Sequence, residues 1–163
     1  MAVGQVGLFL YNQKVVVIPV GASDGRRYDV EPYSLVPAVP ESVDTAIRTG
    51  FEVSIKAQMD QAPSPAKSPL VQALGDRAWG VKSQKDFFRT AGHCALYARS
   101  DFLYIGIYGR HKKGGFTAKD RVPLTSDEGL GSLVLAVMQA DGSKLFSFLI
   151  STRGYPIPPM AAS

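Results

Sequence analysis

The chain has too few cysteines and histidines for the sites that these residues usually build. Its 163 residues include one cysteine, Cys94, and two histidines. A single thiol excludes an intramolecular disulfide framework, and zinc knuckles and ribbons need more thiolates. No run reaches the roughly 18 apolar residues of a membrane-spanning helix. The first residues carry no charge before an apolar run, unlike a secretory signal. We therefore expect a soluble protein of a reducing compartment, without membrane association.

Motifs for catalysis and phosphate binding are lacking as well. The sequence contains no H-E-x-x-H, G-x-G-x-x-G or G-x-x-x-x-G-K-[ST]. A G-x-S-x-G match occurs as Gly21-Ala22-Ser23-Asp24-Gly25, but Ser23-Asp24-Gly25 is predicted to be a turn in an irregular segment and not the strand-to-helix turn of a nucleophile elbow. His93 and Cys94 are adjacent, but neighbours in a strand point to opposite faces, so they are not expected to form a thiolate–imidazolium pair. Ser64 and Lys67 have Ser-Lys spacing but lie in a proline-rich loop. We expect no catalytic residue, no metal and no cofactor, and hence no enzyme.

The basic residues are concentrated in one quarter of the chain. The net charge is +4, and residues 82–121 contain nine Lys or Arg against three Asp, which is +6 and leaves −2 for the rest. Such a segment is typical of a nucleic-acid site, of a surface for an anionic protein partner, or of an ordinary solvated surface. All three interpretations remain open from charge alone.

The order of predicted elements indicates a single α+β domain over 1–163, with a largely antiparallel, mixed sheet and three or four short helices. The spacing of apolar residues, caps and turn residues predicts strands and helices separated by an irregular segment at 21–40 and a Pro-rich loop at 61–69. A proline-containing tail follows at 155–163. The predicted strands are 6–11, 15–20, 94–99, 102–108 and 145–150, and the run at 15–20 is apolar on both faces. The first predicted helix, 42–49, is capped by Ser42 and stopped by Gly50, and 51–59 is either a strand or a continuation of it. Helices are also predicted at 68–75 and, from a Ser83 cap to Gly92, at 83–92. A last helix, capped at 125–128, has one apolar stripe: Leu130, Leu133, Val134 and Val137.

Aromatic and basic residues interleave in the second half of the chain. A sheet with exposed aromatics and a cationic rim is how proteins stack and neutralise single-stranded nucleic acid, so one hypothesis is a small basic protein that binds nucleic acid through a hairpin at 94–116. Aromatics in strands are more often core or cross-strand packing. The residues concerned are Tyr97, Tyr104, Tyr108 and Phe116 with Arg99, Arg110, Lys112 and Lys113.

Residues 79–138 carry a resemblance to a known family. The matching pieces are Trp79-Gly80-Val81-Lys82-Ser83 before Asp86-Phe87-Phe88, then Ile105-Gly106-Ile107-Tyr108, Gly114-Gly115-Phe116 and Leu130-Gly131-x-x-Val134-Leu135. This stretch resembles immunity proteins of bacterial contact-dependent growth inhibition systems. The resemblance implies a cytoplasmic protein of a Gram-negative bacterium that binds one cognate toxin C-terminal domain, 1:1, and blocks it. Such toxins are frequently nucleases.

Immunity proteins bind through surface side chains that vary with the toxin, so the resemblance assigns no contact residue. Hot-spot composition favours Tyr, Trp and Arg, and two clusters are candidates on that ground. Each is open to the alternative of a solvated loop. The clusters are Arg26, Arg27, Tyr28 and Tyr33, and Arg110, Lys112, Lys113 and Phe116. We assign Trp79 to the core. With a sequence pI of about 9.2, the chain departs from the acidity common among nuclease inhibitors.

Overall fold

The computed structural model describes residues 4–99, 102–111 and 113–140, without the side chain of Arg110. Within these residues seven strands form one sheet with four helices, which confirms the α+β fold. Strand order is β3-β2-β1-β5-β6-β7, β4 also pairs with β2, and every pairing is antiparallel. The elements are β1 (Gly4–Tyr11), β2 (Lys14–Ser23), β3 (Arg26–Asp29), β4 (Ser34–Pro37), α1 (Pro40–Met59), α2 (Pro69–Leu74), α3 (Gln84–Thr90), β5 (Gly92–Ala98), β6 (Leu103–Arg110), β7 (Phe116–Leu124) and α4 (Leu130–Gln139).

Strand β2 lies inside the sheet and is covered on both faces, as its uninterrupted apolar run predicts. Val15 and Val17 face the core beneath α1 and α4, whereas Val16 and Ile18 face a second core formed with α2, α3 and Trp79. Both faces of the sheet therefore carry a packed layer, which is why alternation is absent from this strand.

Pro19 lies in the middle of β2 at the junction of two short partner strands. Its carbonyl accepts a hydrogen bond from Val30 N at 2.8 Å, so its missing N–H faces the same side. On that side β3 ends at Asp29, opposite Val20, and β4 begins at Ser34, opposite Val17. Pro19 therefore lies at the gap between β3 and β4, the two partner strands on this side of β2.

The prediction of an irregular segment at 21–40 is wrong, because this segment contains β3 and β4. The sequence does not reveal these short strands, since only their pairing with β2 defines them.

Helix α1 is 20 residues long, so the prediction that a short helix is capped by Ser42 and stopped by Gly50 is wrong. Of the two alternatives left open for residues 51–59, the helical continuation is the one observed. Val39 is the N-cap and makes no side-chain capping bond. Gly50 lies inside the helix, where a Cβ would be 2.8 Å from Val6 Cγ1 and 3.1 Å from Val17 Cγ1. Glycine here permits close approach of helix and sheet.

The other helices agree with the sequence in their buried faces and differ at their ends. Ser83 Oγ accepts from Asp86 N at 3.0 Å, as predicted for α3, but α3 ends at Thr90 and Gly92 opens β5. The predicted cap of α4 at 125–128 is wrong, since the helix follows Gly129, which has φ 64°. The predicted stripe is buried: Leu130, Leu133, Val134 and Val137.

Strand β7 has no counterpart among the predicted elements. Its residues 117–121 are all exposed, so the segment shows no alternation of apolar and polar residues. Pairing with β6 makes it a strand. No helix of the described residues is long and apolar enough to cross a membrane. The predicted strand at 145–150 and the tail at 155–163 lie outside the described residues.

Candidate functional site

His93 and Cys94 occupy opposite faces of β5, as predicted. Cys94 is fully buried in the core beneath α1 and α4, and burial raises the pKa of its thiol. His93 stacks on Phe9 on the other face, with ring centroids 4.0 Å apart. Its Nδ1–H donates to Leu8 O at 2.8 Å, and burial lowers its pKa to about 4. The pair is therefore two packing residues in separate cores.

The depressed pKa of His93 predicts a pH-dependent stability. Between pH 6.5 and about 4 the unfolded chain binds a proton that the folded protein does not, so the free energy of unfolding falls as pH drops through this window. At pH 5 the loss is about 2 kcal/mol relative to neutral pH. Urea unfolding of the wild type and His93→Phe at both pH values measures it. His111→Gln, at an exposed position, is the matched control, and an unchanged slope in His93→Phe would contradict the assignment.

The first predicted cluster lies at and near the β3 edge of the sheet, and its tyrosines make internal contacts. Tyr28 OH donates to Ala62 O beyond the end of α1, and Tyr33 OH donates to Asp76 Oδ2 at 2.9 Å. Burial, together with this bond, raises the pKa of Tyr33. Arg26 and Arg27 are exposed. The two exposed arginines are thus the side chains of this cluster open to a partner, with Arg27 also donating to Gln5 Oε1.

The second predicted cluster lies at the β6–β7 hairpin. Phe116 is half-buried against Phe9, Phe88 and His93, with centroids 5.7, 6.1 and 5.0 Å away. Lys113 is exposed. Arg110 pairs with Phe116 through the backbone, while its side chain and the whole of Lys112 lie outside the described residues. Phe116 serves mainly to close the second core.

The two clusters do not come together in space. Strand β3 is first and β7 last in the strand order. Five steps of about 4.8 Å separate them, roughly 24 Å in all. They remain separate predictions, and the sheet face between them is a third candidate.

That intervening face carries two lateral rows of residues on the same side as Phe9 and His93. One row runs Gly7–Ala95–Gly106–Arg121, and the next runs Gln5–Tyr97–Tyr104–Pro123. The rings of α3 reach Phe9, Tyr11 and Phe116. Within the described residues, neither ring of α3 contacts the ring of Tyr97 or Tyr104. We call this half of the sheet the open face and define it by Arg27, Tyr97, Arg99, Phe102, Tyr104 and Arg121.

Side chains of the open face organise one another. The guanidinium of Arg121 lies 4.2 Å above the ring of Tyr97, and that of Arg99 lies 5.8 Å from the centroid of Phe102. Tyr97 OH is 3.2 Å from Tyr108 OH. The rings of Phe102 and Tyr104 meet edge to face at 5.1 Å. The rings are therefore held in place before any partner arrives.

Comparison with known proteins places the chain by its fold. No protein-family model matches it, and no curated protein does. A protein of unknown function from Neisseria meningitidis is similar at a TM-score of 0.61 and 15% identity, covering 85% of this chain and 96% of that one. A chain of the CdiA-CT/CdiI toxin and immunity complex from Yersinia pseudotuberculosis is similar at 0.59 and 11%, with the same coverage. The fold is shared along most of each chain.

Sequence reasoning missed Phe102 and Arg121 as candidate contacts. The alternation in β6 carried part of the signal, because Leu103, Ile105 and Ile107 alternate with Tyr104. Phe102 continues the Tyr104 face by the same period. Arg121 had no such signal, since it reaches this face only through the pairing of β7 with β6.

A cavity of about 490 Å³ lies at the opposite end of the sheet, beside the ends of α3 and α4. Tyr11 OH donates to Asp86 Oδ2 at 2.5 Å. This bond lowers the pKa of Asp86 and raises that of Tyr11. Lys82 also lines the cavity. The Asp86 carboxylate thus joins α3 to β1 through its bond with Tyr11. We therefore assign this cavity a structural role.

Proposed function

We propose that this protein is an immunity protein that binds the toxin C-terminal domain of a contact-dependent growth inhibition system, 1:1, in the cytoplasm. The observation that carries the proposal is the fold shared with a chain of the CdiA-CT/CdiI toxin and immunity complex, over 85% of this chain and 96% of that one. The resemblance of residues 79–138 to immunity proteins supports the immunity side of such a complex.

Inhibition by binding, without catalysis by this chain, is part of the proposal. The thiol of Cys94 is fully buried and its pKa is raised, which is the reverse of what a nucleophile needs. His93, with a pKa of about 4, is a weak base at neutral pH. The proposed inhibition therefore uses exposed side chains that recognise the toxin, because a stoichiometric inhibitor acts by binding alone.

The positive charge of the chain bears on the kind of toxin surface it would meet. A nuclease toxin carries a cationic groove for its substrate. A chain whose residues 82–121 sum to +6 would be repelled from such a groove. We therefore propose that it binds a nuclease toxin away from the nucleic-acid groove, on an acidic surface. Charge complementarity then speeds association more than it adds affinity.

Nucleic-acid binding remains a second candidate function because aromatic and basic residues share the open face. Stacking of bases requires free ring faces, and Arg121 lies over the ring of Tyr97. This arrangement favours a protein partner. Nucleic-acid binding predicts generic affinity for DNA or RNA that falls steeply with salt.

The test is co-expression with the neighbouring gene. The C-terminal domain encoded by the open reading frame immediately upstream is expressed in a sensitive host with and without this protein. We expect growth arrest alone, rescue together, and co-purification at 1:1. A toxin domain from an unrelated system is the specificity control. Persistent growth arrest in the presence of soluble, folded protein would contradict the proposal.

A further inference from the structure

The composition of the open face is unusual for the water-facing side of an antiparallel sheet. Such faces normally carry polar residues alternating with the buried ones. Here Tyr97 of β5, Tyr104 of β6 and Phe102, just before β6, are all half-exposed on this side, beside Gly106. The other half of the same face is covered by α3 and Trp79. Aromatic rings in this position suit burial against another molecule.

Three guanidinium groups on the open face lack an acidic partner within the described residues. Arg27 donates to the neutral amide oxygen of Gln5, while Arg99 and Arg121 lie over aromatic rings. The salt bridges of the described chain involve Lys56 and Arg89 instead. Asp29 faces the same side beside Val20, so three guanidinium groups outnumber this carboxylate. The face therefore presents a net positive charge to a partner.

Tyrosine, arginine and a central ring cluster are the composition of interface hot spots. The open face spans the strands from β3 to β7, which is roughly 24 Å. That width suits the centre of a standard interface of about 800 Å² on each partner. Rings already positioned by Arg121 and by the Tyr97–Tyr108 contact would lose little side-chain entropy on binding.

From these observations we infer that the open face is the toxin-binding surface and that it docks on an acidic patch of the toxin domain. The inference rests on the proposed immunity function and names the surface that performs it. Tyr104 and Phe102 form its aromatic centre, and Arg27, Arg99 and Arg121 form its cationic rim.

The test measures binding of the upstream toxin domain by full-length variants. Arg121→Glu reverses an exposed charge of the rim, and Tyr104→Ala removes a ring of the centre. We expect each substitution to raise the dissociation constant by about 30-fold or more. Arg48→Glu makes the same charge change at an exposed position of α1, over the other face. Met59→Ala removes an apolar side chain that is 74% exposed. Both controls are expected to bind like the wild type.

Salt dependence separates charge steering from other effects. The wild-type association rate constant is expected to fall between about 50 and 500 mM NaCl, and that of Arg121→Glu to fall less. Circular dichroism and urea unfolding check that each variant is folded.

Several results would overturn the inference. Tight wild-type binding with both variants within about threefold would place the toxin elsewhere while leaving the immunity function intact. A loss of stability in Tyr104→Ala with unchanged affinity would mean that the ring serves the fold. A wild-type dimer that either variant dissociates, or generic RNA or DNA binding abolished by Arg121→Glu, would assign the face to another occupant. A wild type that neither binds nor protects would overturn the function and the surface together.

Discussion

Gly131→Ala is expected to lower the free energy of unfolding by about 3 kcal/mol or more, although alanine favours helices over glycine by about 1 kcal/mol. A Cβ at this position would lie 2.1 Å from Pro40 O and 3.1 Å from Asp44 N. These are backbone atoms of α1, so no side chain can rotate to make room. Gly131 N also donates to Asp44 Oδ1 at 2.7 Å, and separating the helices would break this bond.

The matched control is Ser132→Ala, one residue further along α4 at an exposed position. It has the same product residue in the same helix, and we expect stability within about 0.5 kcal/mol of the wild type. Urea unfolding followed by circular dichroism compares the two variants. If Gly131→Ala were as stable as Ser132→Ala, the close crossing of α4 over the start of α1 would be wrong.

The second large effect is expected at the only tryptophan of the chain. Trp79→Ala should cost about 3–5 kcal/mol, as for other buried tryptophans. Trp79 is 1% exposed and packs edge to face on Phe87 with centroids 5.1 Å apart. Its Nε1–H donates to Tyr11 O at 3.0 Å, so truncation also leaves a carbonyl without its donor.

Thermal and urea unfolding of Trp79→Ala and Trp79→Phe separate the two contributions. Phenylalanine restores much of the apolar burial but not the N–H donor, so we expect an intermediate loss. Val71→Ala, in the same layer and 43% exposed at the valine, should change stability by no more than about 0.5 kcal/mol. A loss under about 1 kcal/mol in Trp79→Ala would show that the second core does not depend on this ring.

The packing of Trp79 against Phe87 also explains how the open face arises. Trp79 and Phe87 gather α3 over one end of the sheet, while α1 and α4 cover the other face. The half of the sheet that carries Tyr97 and Tyr104 is left without a helix in the described residues. The sheet is packed on both sides elsewhere and presents a preformed aromatic surface here, which suits the rigid-body binding expected of the proposed immunity function.

Parts of the candidate site could be read from residues alone. Hot-spot composition singled out Arg27 as a candidate toxin contact, and the nucleic-acid hypothesis singled out Tyr97 and Tyr104. All three lie on the open face. Composition could not tell that the hydroxyls of Tyr28 and Tyr33 bond to Ala62 O and to Asp76. A side chain's partners across the fold depend on long-range packing that local composition does not encode.

Local periodicity and capping are enough to predict several features of this fold. The both-face burial of β2, the buried stripe of α4, the alternation in β6 and the Ser83 cap all follow from neighbours along the chain. Long-range packing, in contrast, accounts for the continuation of α1 through Gly50, the start of β5 at Gly92, and the formation of β3, β4 and β7. A Cβ on Gly92 would lie 2.2 Å from Met138 O, and short or polar strands form because a neighbouring ladder supplies their hydrogen bonds. Both the close approach of Gly92 to Met138 and the pairing of strands involve residues far apart in sequence. A local sequence pattern therefore cannot predict them.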